Sequence, residues 1–172
     1  MTRVLLSALA LCLALPFGAC AREDTPPGDA AAAAAGAPSP AAEAAKAWLA
    51  NNAKQKGVVV LPSGVQYKVL ASGPKTGVQP KAGDLLKVHY EGALTDGTVF
   101  DSSYQRGAPA VMPLEGLVPA WMEVVPLMRP GDSWMLYVPP EQGYGADGAG
   151  DAIPPDAALV FKVELVDALA QG

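Results

Sequence analysis

Leu86-Lys87-Val88-His89-Tyr90-Glu91-Gly92-Ala93-Leu94-Thr95-Asp96-Gly97-Thr98-Val99-Phe100-Asp101-Ser102-Ser103 is the stretch whose reading decides the fold. Leu86, Val88 and Tyr90 alternate with Lys87, His89 and Glu91, the period of a strand with one buried face. Asp96-Gly97 supplies the pair that suits a tight hairpin turn, so a strand ending near Ala93 turns back into one through Val99 and Phe100. Outward from this hairpin the same grammar repeats. Val65, Tyr67 and Val69 alternate with Gln66 and Lys68, and Ser133 to Val138 reads as a further strand. Leu159, Phe161, Val163 and Leu165 put four apolar residues on one face of a last strand, with Lys162 and Glu164 on the other. One helix interrupts the strands: Pro119 opens it, Trp121, Met122, Val124 and Val125 follow at helical spacing, and Pro126, Pro130 and Gly131 close it. The expected class is α+β, an antiparallel sheet of about five strands wrapped around one short helix over residues 57–172.

The residues before this domain fall into three parts. Arg3, the uncharged run Val4–Leu15 and the small-residue stretch up to Cys20 have the layout of an export signal over residues 1–20. The run is too short for a permanent span, which needs about 20 apolar residues in a helix. Two readings of its end stay open. Phe17-Gly18-Ala19-Cys20 resembles a lipobox, in which Cys20 becomes the lipid-modified first residue; alternatively, Ala19-Cys20-Ala21 serves as an A-x-A site and releases a soluble chain. Both place the mature chain outside the cytoplasm, in a periplasm or on an envelope membrane. Residues 21–40 are rich in Ala, Pro and Gly and nearly devoid of large apolar side chains, so they read as a disordered tether. Ser39 and Pro40 then supply an N-cap and a first-turn proline for a single helix over residues 41–56, ended by Gly57. Trp48 and Leu49 are its large apolar residues, enough to lean on the following domain and too few for a core of its own.

Composition excludes several functions. The chain has 172 residues, 12 Lys and Arg against 17 Asp and Glu, a net charge of −5, one His and two Cys. Its basic residues are scattered, so the stripe that tracks a nucleic-acid backbone is absent from the sequence. Cys12 and Cys20 both lie in the export segment, which leaves no Cys-based metal site for the domain. His89 has no second His or Cys near it in the sequence and reads as structural. Glu91, Glu115, Glu123 and Glu141 show no spacing that marks a catalytic carboxylate pair, which argues against a hydrolase. No metal and no cofactor are expected.

His89-Tyr90-Glu91-Gly92, Asp96 to Ser103, Val118-Pro119-Ala120-Trp121, Pro130-Gly131-Asp132-Ser133, Tyr144-Gly145, Ile153-Pro154-Pro155 and Leu159 to Leu165 occur in an order that resembles FKBP-type peptidyl-prolyl cis-trans isomerases. The resemblance runs from about Ser63 to Ala168. Asn51 to Gly57 and Leu61 to Tyr67 are similar to the exported branch that includes the macrophage infectivity potentiator proteins. That branch dimerises through a longer N-terminal helical domain; with the stretch 41–56 standing for it here, a monomer is expected.

The resemblance implies a site. Catalytic roles fall on Tyr90, Asp101 and Tyr144, and substrate-binding roles on Phe100, Arg106, Leu117, Val118, Trp121, Ile153 and Phe161, with the Trp121 ring as the floor beneath a proline. By the same resemblance, the Tyr144 hydroxyl and the Ile153 N–H donate to carbonyls flanking the proline. Asp101 either orients Tyr90 and Arg106 or acts directly on the twisting imide. Rotation about an Xaa-Pro bond breaks amide resonance against a barrier of about 18–20 kcal/mol. An apolar cup suffices as machinery, because stripping water favours the less polar twisted amide over the planar one. Against the family's pattern, Ala110 lowers the cup wall on one side, Ala149 and Ala152 stand at loop positions that often hold larger residues, and Asp147 and Asp151 make that loop acidic, which bears on the binding of macrolide inhibitors. The implied partners are proline-containing, unfolded or partly folded exported proteins. A second class uses the same cup without turnover, as a chaperone or binding module for proline-containing envelope segments.

Overall fold

A computed structural model of the protein describes residues 38–170. The export signal, Cys20 and the tether up to residue 37 lie outside the described residues. The described chain opens with helix α1 (Pro40–Asn52) and continues through strands β1 (Val58–Val60), β2 (Gln66–Ala71), β3 (Leu85–Leu94), β4 (Val99–Ser102) and β5 (Ala110–Pro113). Helix α2 (Pro119–Val124) follows and tightens into a 3-10 turn over Val125–Leu127, before β6 (Ser133–Val138) and β7 (Leu159–Leu169). Every strand pairing is antiparallel, in the order β1-β2-β6-β7-β3-β4, with β5 pairing the other half of β3. The α+β class is as read.

The strand count is seven rather than five among the described residues. Val58–Val60 is a run of one residue type with no alternation to read, and it forms an edge strand on β2. Ala110–Pro113 is bounded by Pro109 and Pro113, which disguises it; it becomes a strand because Val88 to Leu85 of β3 offer free partners beyond Glu91, where β4 has ended at Ser102. The hairpin itself is as expected: Leu94 donates to Thr98 O at 2.9 Å, and Gly97 adopts φ 90°, the conformation that the Asp-Gly pair provides.

Burial follows the alternation where the sheet has one covered face. Leu159, Phe161, Val163 and Leu165 of β7 are buried, as are Leu86 and Val88 of β3 and Trp134, Leu136 and Val138 of β6. They close on Trp121, Val124, Val125 and Met128 from α2 and its extension, so the core lies between the sheet and that helix. β2 departs from the reading: Gln66 is 4% exposed, while Val69 is 43% exposed. The reason is α1. Gln66 donates to Leu49 O at 2.9 Å and accepts from the Asn52 side chain at 2.9 Å, so docking the helix buries a polar residue with its hydrogen bonds made. The helix ends at Asn52 rather than at Lys56, and residues 53–56 continue as turns to Gly57 at φ 84°. α1 leans on the domain as expected, with Ala45 and Leu49 packed on Ala158 and Trp48 against Tyr137 at 5.9 Å between ring centroids. Among the described residues no helix is long and apolar enough to cross a membrane.

Candidate active site

The sheet and α2 bring four aromatic rings together at one end of the core. Tyr90 comes from β3, Phe100 from β4, Phe161 from β7 and Trp121 from α2. Pro119 starts α2 in the turn that carries the indole, and Trp121 N–H donates to Val118 O at 2.9 Å. The rings stand edge to face: Tyr90 and Trp121 at 5.6 Å and 88°, Trp121 and Phe161 at 5.5 Å and 90°, Phe100 and Phe161 at 5.7 Å and 85°. These are the favoured geometries for aromatic pairs, so the cup is held by the same contacts that shape it.

Gly92 makes this approach available. It pairs with Phe161 on one side and Asp101 on the other. A Cβ there would sit 2.6 Å from two Phe100 ring atoms and 2.8 Å from Phe161. Only a residue without a side chain lets both rings close over the strand. Trp121, Tyr90, Phe100 and Phe161, with Leu117 and Val118 at the lip, enclose a cavity of about 100 Å³. Met112 of β5 completes the wall. Sequence reading missed Met112 because its strand was missed. The alternation Ala110 and Met112 inward, Val111 outward was the signal that could have found it.

The rim is polar on one side. Asp101 accepts from the Tyr90 hydroxyl through Oδ2 and from the Arg106 guanidinium through Oδ1, and Arg106 Nη2 also donates to the Tyr90 oxygen at 3.0 Å. Burial pushes the Asp101 carboxyl up, but the hydrogen bonds from Tyr90 and Arg106 outweigh it and hold the group below the usual carboxylate range. Burial and the Asp101 hydrogen bond raise the Tyr90 phenol against the opposing pull of Arg106. Tyr90 is fixed at its backbone as well. Ser103, fully buried, accepts from Tyr90 N at 2.8 Å and donates its own N–H to Tyr90 O at 2.9 Å. His89 contacts that Ser103 hydroxyl at 3.1 Å and stacks on Tyr104 at 4.9 Å, the structural surroundings expected for it.

Tyr144 lines the same cavity, 40% exposed, between 3-10 turns at Pro140–Gln142 and Gly145–Asp147. Two expected site residues lie apart from the cavity wall. Arg106 reaches the site only through Asp101 and Tyr90. The Ile153 side chain is buried in the core, and its N–H donates to Ala149 O at 3.1 Å, with Ala149 N–H returning to Ile153 O at 2.9 Å. The Ile153 N–H, expected to donate to a carbonyl flanking the proline, is here given to Ala149 in a two-residue bridge, because glycines at 148 and 150 with φ 64° and 52° fold the loop back on itself. Ala110 pairs with Val88 behind Met112. Larger grooves of about 590 and 340 Å³ flank α1 and contain none of the cup aromatics.

Fold and cup together define a class of domain, a twisted antiparallel sheet closed by one short helix that presents a small aromatic receptacle at its open end. The model of the FKBP-type peptidyl-prolyl cis-trans isomerase family matches residues 76–166, and the chain belongs to that family. The model of the domain amino terminal to FKBP-type peptidyl-prolyl isomerase matches residues 28–69, reaching back into the stretch read as tether. The peptidyl-prolyl cis-trans isomerase Mip of Coxiella burnetii is 47% identical over 125 residues, 73% of this chain and 54% of that protein. The FKBP-type 22 kDa peptidyl-prolyl cis-trans isomerase of Escherichia coli is 48% identical over 129 residues, 75% of this chain and 61% of that protein. This chain thus spans little more than half the length of those relatives. Among solved structures, FkpA from Escherichia coli superposes with a TM-score of 0.70 at 39% identity, covering 74% of this chain and 58% of that one. A peptidyl-prolyl cis-trans isomerase from Pseudomonas syringae gives the same TM-score at 35% identity, covering 78% of this chain and all of that one. The likeness to the infectivity-potentiator branch stands on these relatives.

Proposed function

We propose that the protein is a peptidyl-prolyl cis-trans isomerase that acts on Xaa-Pro bonds of exported proteins by desolvating the prolyl amide in its aromatic cup. The observation that carries this reading is the Trp121 indole walled by the Tyr90 and Phe161 rings at right angles, a receptacle for an apolar ring with a polar rim. An unaided Xaa-Pro bond exchanges in tens to hundreds of seconds because rotation must give up amide resonance. A proline seated on Trp121 leaves its imide among apolar walls, where the planar, more dipolar state loses more hydration than the twisted one. No covalent step is needed. Both Asp101 oxygens are engaged, which supports orientation of Tyr90 and a fixed negative charge beside the imide rather than proton abstraction. Tyr144, exposed at the cavity, is the donor that holds a carbonyl next to the proline.

Action on exported clients rests on the layout of residues 1–20, and a relative from Legionella longbeachae, 42% identical over 120 residues, bears the name outer membrane protein MIP. Mass spectrometry of the mature N-terminus tests the anchor, since a lipid on Cys20 and an unmodified start at Arg22 differ by the whole acyl mass. Exchange NMR on an Xaa-Pro peptide tests the activity. Accelerated exchange that falls in Tyr144→Phe and Asp101→Ala supports an isomerase using this cup. Exchange at the unaided rate with a folded parent replaces it with the binding-module reading.

A further inference from the structure

Tyr144 poses a problem of placement. Among the described residues its side chain makes no hydrogen bond, and it stands 40% exposed on a loop, so its direction must be set through its backbone. The next residue, Gly145, has φ 61°, a left-handed conformation that by itself confers no rigidity. What grips this turn comes from further along the same loop: Asp156 N–H donates to the carbonyl of Gly145 at 2.9 Å.

Asp156 is itself held in an unusual way. At φ 57° it is the sole non-glycine residue with positive φ among the described residues, so the surrounding structure must impose its conformation. Its carboxylate Oδ2 accepts from Ser39 Oγ at 2.5 Å, and the same Ser39 oxygen accepts from Ala42 N at 3.0 Å as the N-cap of α1. The carboxylate therefore sits at the positive end of the helix. Two residues on, buried Ala158 packs against Ala45 and Leu49 of α1. The head of α1, Asp156 and the Tyr144 turn thus form one series of contacts, joined at both ends by hydrogen bonds.

We infer that Asp156 is a positioning residue for Tyr144, clamped by Ser39 so that the docked α1 sets the rim of the cup. This rests on the reading of Tyr144 as a rim donor to substrate. It gives α1 a task within the domain itself, that of holding the Tyr144 loop in register with the aromatic floor.

The test uses the full chain. Asp156→Gly removes the carboxylate and keeps the left-handed backbone accessible, while Asp156→Asn keeps an oxygen acceptor and tolerates the same φ. Ser39→Ala removes the clamp from outside the loop, and Ser39→Thr restores the hydroxyl. Each is compared in the parent and in a Tyr144→Phe background, by exchange NMR on an Xaa-Pro peptide and by the ring resonances of labelled tyrosines. Misplacement of a contacting group by an ångström is worth up to about a hundredfold, and a single loosened contact is expected to lower kcat/KM on the order of fivefold. The inference requires that loss in Asp156→Gly and Ser39→Ala, recovery in Asp156→Asn and Ser39→Thr, and less than about a twofold further loss once Tyr144 is Phe. It also requires that the Tyr144 ring resonance shifts while that of Tyr67, which stacks on Trp134 away from the clamp, stays in place. Equal losses in both backgrounds, or an unmoved Tyr144 resonance in Ser39→Ala, overturn it. A folded parent without catalysis would instead refute the isomerase reading, and the Tyr144 resonance then decides the positioning alone.

Discussion

The two sides of the cup are built by opposite means. The floor is over-determined: Trp121 is 4% exposed, meets Tyr90 and Phe161 edge to face, and sits in the same packed cluster as Val124 and Met128. The Tyr144 rim hangs on a few hydrogen bonds between glycine turns, at Gly145, the Ala149–Ile153 bridge and Asp156. The difference teaches where stability and function are tied and where they separate. On the floor, any change that alters the receptacle also alters the core. On the rim, a group can be removed or re-aimed while the fold stays intact.

The strongest way to break this contrast is Trp121→Ala. Truncating a buried Trp costs about 3–5 kcal/mol, so urea or thermal unfolding should register a large loss along with loss of exchange activity. Gly92→Ala comes next. Its Cβ would meet Phe100 at 2.6 Å and Phe161 at 2.8 Å, and overpacking of this sort costs about 1–3 kcal/mol. Here the Phe100 and Phe161 rings must part, so ring-proton contacts between them in NMR spectra should weaken with the melting temperature. Retention of both would show that the two rings are less closely packed than the contrast requires.

Asp101 sharpens the comparison through pH. Its folded-state carboxyl lies below the ordinary value, so its contribution to stability is present above about pH 3.9. That contribution fades as pH falls through the lower folded value. The stability difference between the parent and Asp101→Asn should therefore be constant across neutral and mildly acidic pH and be lost only in acid below the ordinary carboxylate range. A difference that titrates near neutrality would contradict the pairing with Tyr90 and Arg106. The smallest stability effect belongs to Tyr144→Phe, an exposed change expected to stay within about 0.5 kcal/mol. Its exchange rate should nonetheless fall, which is the separation of function from stability that the rim implies.

The same division governs how much could be read from sequence. The floor was legible because strand alternation and helical spacing fix which way Phe161 and Trp121 point, and the ordered motifs around them named the family. Met112 was lost with β5, whose existence depends on the free half of β3, a partner distant in sequence. Gln66 is buried because α1 docks on it, and no local pattern encodes that contact. The Ile153 N–H was expected to donate to a carbonyl flanking the proline, yet the turn geometry of Gly148 and Gly150 turns it onto Ala149. Each of these depends on a tertiary partner rather than on periodicity. The clamp from Ser39 to Asp156 belongs with them, since it spans 117 positions.

The most direct measurement follows one sample by two signals. A proline-containing peptide is titrated into the full chain while its cis/trans exchange and the Trp121 indole resonance are recorded together by NMR. The account predicts exchange far faster than the unaided tens to hundreds of seconds, with the Trp121 shift and the exchange rate saturating at the same peptide concentration. Accelerated exchange with an unmoved Trp121 resonance, or a Trp121 shift with exchange left at the unaided rate, would contradict it.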